Sequence, residues 1–116
     1  MAERDSIIHT KKIHALGSWA IQAYKRRWGK IPYTLSSAGV EQKLAAMFLA
    51  HLQQDPKVVL ELNHESNFPD LLNQYIRKNG YRDSRTKLTP LMSECPAELQ
   101  DVLAEQIRLL TDSNLR

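Results

Sequence analysis

A chain of 116 residues, 42% hydrophobic and 25% charged, can build one core but not two, and is too apolar to stay disordered as a whole. Its formal charge of +3 is unevenly spread: residues 1–58 hold nine Lys/Arg against four Asp/Glu, and residues 59–116 hold seven against nine. The single cysteine, Cys95, excludes a disulfide or a cysteine-based zinc site within these residues.

The first element is predicted from about Ser6 to Trp28. Ile13, Leu16, Ala20, Tyr24 and Trp28 recur at three- and four-residue steps, which puts them on one helix face and leaves Lys11, Lys12, Lys25, Arg26 and Arg27 mostly off it. Gly17 weakens such a helix by about 1 kcal/mol unless a neighbour packs closely against it. Gly29 and Pro32 then bracket a tight connection.

Next comes the most apolar stretch, with Val40, Leu44, Met47, Phe48 and Leu52 as its stripe, Leu44 and Phe48 expected in the core, and Ser36 and Ser37 placed to cap its start. Asp55-Pro56 is expected to close it and open the following element. A further helix begins at Pro69, with Leu72 and Ile76 on one face and Gly80 as a left-handed cap. "YRDSRTK" reads as a polar, basic connection, and a last helix from near Pro96 carries Leu99, Leu103, Ile107 and Leu110.

Strand alternation and hairpin turns are missing. The expected fold is therefore all-α: a compact bundle of four main helices plus one or two short ones, forming a single domain over residues 1–116. No apolar run approaches the ~18 residues of a membrane span, and the N-terminal twelve residues lack a signal-peptide core. The expected setting is the cytoplasm, with no membrane partner.

Searching for chemistry leaves little. His9, His14, His51 and His64 form no metal-ligand spacing, and there is no Gly-rich phosphate loop, nucleophile elbow or Cys/His pairing. The acids Glu94, Glu98, Asp101 and Glu105 read as a solvated face of the last helix. We expect no enzyme, no metal and no cofactor.

Two basic clusters remain. Lys25, Arg26, Arg27 and Lys30 are interleaved with Tyr24, Trp28 and Tyr33; Arg77, Lys78, Arg82, Arg85 and Lys87 accompany Tyr75 and Tyr81. Cations neutralise phosphates and planar rings stack on unpaired bases, so these nine cations are the candidate RNA-binding residues. The competing reading is that Lys and Arg sit at helix C-termini for dipole reasons and that Trp28 and Tyr75 are core.

Pro32, Leu35, Ser36, Gly39, Gln42, Leu44 and Ala45 stand in the order Pro-x-x-Leu-Ser-x-x-Gly-x-x-Gln-x-Leu-Ala. Over residues 23–50 the chain thereby resembles the Cmr-type small subunit of type III CRISPR effector complexes, in which a basic first helix leads into such a turn and helix. The resemblance implies an all-helical, non-catalytic subunit of a ribonucleoprotein, present in several copies along the backbone subunits and helping to hold guide and target RNA. The alternative is a small helical module, of the kind phages and plasmids use as accessory proteins, whose partner is another protein. A helix-turn-helix DNA binder fits poorly, because Asp55-Pro56 and no glycine follow the second helix.

Overall fold

The computed structural model describes residues 2–29, 33–54 and 67–112. Every element among them is helical: α1 (Ala2–Trp28), α2 (Tyr33–Ser36), α3 (Val40–Gln53), α4 (Phe68–Asn79), α5 (Tyr81–Leu88), α6 (Leu91–Glu94), a 3-10 turn (Ala97–Leu99) and α7 (Gln100–Asp112). The protein is an all-α bundle. Four long helices are present as the periodicity predicts, while the short ones outnumber the one or two expected.

Helix α3 forms the axis of the core. Leu44, Ala45, Ala46, Met47, Phe48, Leu49, Ala50 and Leu52 are all buried, so the helix is enclosed on nearly its whole circumference and not only along the predicted stripe. The alanines make this possible, since a small side chain lets neighbouring helices close in where a leucine would hold them away. Leu44 and Phe48 are fully buried, as expected. Leu16, Trp19, Ala20 and Tyr24 of α1, Leu35 of α2, Leu72 and Ile76 of α4, and Val102, Leu103 and Ile107 of α7 belong to the same continuous cluster.

Gly17 explains how α1 approaches α3. A Cβ built there would lie 3.1 Å from Cγ2 of Val40, so the missing side chain is the space that the first residue of α3 uses. Ten residues further along α1, Arg27 meets His51 near the end of α3, so the two helices run parallel. Helix α4 is parallel to them too: its Phe68 N–H donates to Oε1 of Gln42 near the start of α3, and its Tyr75 hydroxyl donates to the Leu52 carbonyl near the end. Three C-termini therefore gather at one pole of the bundle.

Several boundaries differ from the sequence reading. No side chain caps α3; Gly39 is its N-cap residue in extended conformation, so Ser36 and Ser37 do not have the role assigned to them. Helix α3 ends at Gln53, and Gln54 in the left-handed region (φ 56°) donates its N–H to Ala50. The predicted start at Asp55-Pro56 lies outside the described residues. "YRDSRTK" is helical, not a connection: Gly80 takes φ 99° and ψ 128°, a conformation only glycine adopts cheaply, and the chain turns there directly from α4 into α5. Tyr81, Ser84 and Leu88 form the inner face of α5, and the buried Ser84 hydroxyl donates to the Gly80 carbonyl at 2.8 Å. A polar residue at the centre of that face hid the helical period.

Candidate nucleic-acid interface

The gathering of three helix C-termini has an electrostatic consequence. Each end carries roughly half a negative charge on its unsatisfied carbonyls; α1 and α4 answer it with basic residues in their last turns, Lys25, Arg26 and Arg27 on α1 and Arg77 and Lys78 on α4, while the end of α3 carries His51, which meets Arg27. Helix α5 adds Arg82, Arg85 and Lys87. Lys30 lies outside the described residues. Both predicted clusters thus belong to one end of the bundle, and part of their positive charge offsets the helix dipoles.

His51 is the joint between them. Its Nδ1 faces Nη1 of Arg27 at 2.6 Å, and its Nε2 faces the Lys87 carbonyl oxygen at 3.1 Å. A guanidinium can only donate and a carbonyl can only accept. Both bonds therefore require the neutral Nε2–H tautomer, with Nδ1 accepting from Arg27. The imidazole pKa is pushed below its ordinary value, first by burial, then by the Arg27 charge; the Lys87 carbonyl and the Glu94 carboxylate oppose the shift.

Arg27 is occupied a second time. Its Nη2 donates to both carboxylate oxygens of Glu94, at 3.0 and 3.1 Å, and its guanidinium carbon lies 5.7 Å from the Trp28 ring centroid. Helix α1 is thereby tied to α3, α5 and α6 by one polar network. Glu94, read from sequence as part of a solvated face on the last helix, stands on α6 and is the carboxylate of this network. Asp101, read the same way, receives Lys12 at 3.3 Å.

The remaining candidates divide by what holds them. Lys87 pairs with Asp83 one turn earlier at 3.1 Å, and the Arg85 guanidinium lies 6.0 Å from the Tyr81 ring. Lys25, Arg26, Arg77, Lys78 and Arg82 are exposed and have no ion-pair partner among the described residues. Arg26 shares a shallow cleft with Ala23, Arg27 and Glu94. Because Arg27 neutralises Glu94 there, the cleft presents the Arg26 charge to solvent.

The aromatic half of the expectation fares differently. Tyr24 is buried and packs on Trp28 with ring centroids 4.7 Å apart. Tyr75 is half-buried with its hydroxyl on Leu52, and the Tyr33 side chain lies outside the described residues. Of the described rings of the two clusters only Tyr24 is buried; Trp28, Tyr75 and Tyr81 are half-buried.

No constellation for catalysis appears among the described side chains. Burial raises the Cys95 thiol pKa, with Asp101 adding to the effect, so a reactive thiolate is disfavoured. No cluster of described His, Cys, Asp and Glu residues could hold a metal, and no described helix is long and apolar enough to cross a membrane. Compared with known proteins, the chain matches no protein-family model, no curated protein and no solved structure.

Proposed function

We propose that this chain is a non-catalytic small subunit of a type III CRISPR effector complex, following guide or target RNA by its phosphate backbone. The observation that carries the RNA contact is the pole at which two basic clusters, far apart in sequence, are joined through His51 while five of their cations stay exposed with no ion-pair partner among the described residues. The named complex rests on the sequence resemblance over residues 23–50. Exposed cations of this kind favour phosphate contacts, which position a strand without reading its bases.

A fluorescence-anisotropy titration tests this reading. Single-stranded RNAs of unrelated sequence should bind with about equal affinity, and more weakly as salt rises. Arg26→Ala should lower the log-log salt slope by about 0.7, the share of one single-strand phosphate contact. Failure to bind any RNA at low salt would defeat the reading. The groove between α3 and α4, lined by Leu49, Gln53, Leu71, Gln74, Tyr75, Lys78 and Asn79, would then direct attention to a protein partner.

A further inference from the structure

We propose that His51 is a proton-operated latch on Arg27, tethering it to the end of α3 when the imidazole is neutral and loosening it within the basic pole when the ring is protonated. The inference rests on the RNA reading for its purpose but not for its mechanism. In the neutral ring Nδ1 accepts from Arg27. A proton on Nδ1 removes that acceptor and sets two cations at 2.6 Å, while Nε2–H still anchors the ring to the Lys87 carbonyl. The new Nδ1–H also competes with Arg27 for Glu94, the carboxylate of the network.

The charged groups facing His51 among the described residues are Arg27 from α1 and Glu94 from α6. From α5 it meets only the Lys87 backbone, the ammonium being held by Asp83. On its own helix end, the Gln54 amide donates to the His51 carbonyl and brings no charge. In this set only the Glu94 carboxylate, already bonded to Nη2, can still accept from the guanidinium. One of Arg27's three side-chain hydrogen bonds is lost with the proton, and the guanidinium is freer to act as a further cation beside Arg26 in their shared cleft.

Trp28 reports the latch without RNA, because the Arg27 guanidinium lies over its ring. The other tryptophan, Trp19, has a buried Nε1 with no acceptor among the described residues, so Trp19→Phe breaks no hydrogen bond described there and leaves Trp28 as the single emitter. Its emission should change in one step between about pH 8 and about pH 5, with a midpoint below the ordinary imidazole value of ~6.5. The step should be missing in Trp19→Phe/His51→Gln, whose amide oxygen can accept from Arg27 at any pH. Circular dichroism at both ends of the range should show unchanged helix. A step that survives His51→Gln, or no step in either chain, overturns the latch.

If Trp19→Phe does not fold, ring-proton NMR of the parent chain takes its place. His51 should titrate below the ordinary value and move up toward it in Arg27→Gln; an ordinary midpoint in the parent overturns the proposal. For regulation, affinity for a mixed-sequence single-stranded RNA should rise on acidification about fivefold more in the parent than in His51→Gln at ~0.1 M salt, the yield of one added phosphate contact. The other histidines act equally in both chains and cancel. Equal gains in both overturn the regulatory role. A Trp28 step with no RNA bound at either pH supports the latch and overturns the RNA reading.

Discussion

Helix α3 and the basic pole at its end are neighbours built on opposite rules. Along α3 each buried side chain contributes mainly through its own apolar area, whichever neighbour covers it. At the pole the role of a side chain depends on its partner: Arg26 and Arg27 are adjacent and of one type, yet Arg27 is bound to His51 and Glu94 while Arg26 is exposed with no ion pair among the described residues. Apolar burial can be read from residue type. Polar commitment cannot.

The largest way to test the first rule is Phe48→Ala. Phe48 is fully buried at the centre of the enclosed helix, and its truncation should cost about 3–5 kcal/mol, read as a fall in urea midpoint and large beside a domain stability of about 5–15 kcal/mol. Gly17→Leu acts in the opposite sense. With Val40 already 3.1 Å from where a Cβ would stand, it overpacks the α1–α3 contact and should cost about 1–3 kcal/mol. An unchanged melt for either variant would mean that α3 is not enclosed as described.

This contrast also explains what was legible in the sequence. Leu44, Phe48, Leu72, Ile76 and Leu103 announced themselves by spacing, and Gly17 by its cost in a helix. The alanines at 45, 46 and 50 did not, because an alanine carries the same letter on a buried face as on an exposed one. Helix α5 was missed because Ser84 sits at the centre of its inner face. At the pole, the types and positions of the cations were legible, but Arg27 finds His51 and Glu94 at separations of 24 and 67 residues. No local spacing encodes such a meeting.

Glu94→Gln and Arg26→Ala sharpen the difference between the two arginines. The Arg27–Glu94 pair is about a third to a half exposed, so screening limits its worth to roughly 0–1 kcal/mol, and Glu94→Gln should lower stability by no more than that. The same change loosens Arg27 and removes a carboxylate from the cleft, so RNA affinity should rise. Arg26→Ala should do the reverse, weakening RNA binding while stability stays within about 0.5 kcal/mol. Thermal melts and anisotropy on the two variants separate the outcomes; parallel behaviour would erase the distinction.

The smallest effect is the pH dependence of stability contributed by His51, and its sign follows from the network. In the unfolded chain the imidazole titrates near ~6.5; in the folded protein burial and Arg27 push it lower. Well above ~6.5 both states hold a neutral ring, and the group adds no slope. As pH falls through that value the unfolded chain takes up its proton first, so folding loses stability until the pH is below the folded pKa, where the loss is complete. The Lys12-paired Asp101 carboxyl is lowered from its own acidic range, so its contribution is lost only at lower pH and does not overlap this window. Urea titrations at about pH 8 and about pH 5 should therefore show a larger loss in the parent than in His51→Gln. Arg27→Gln should shrink the loss without abolishing it, because burial is the larger cause and the Arg27 charge the second. If Arg27→Gln leaves the pH dependence untouched, the contact at 2.6 Å carries no weight in solution, and Arg27 belongs with Arg26 among the exposed cations of the pole.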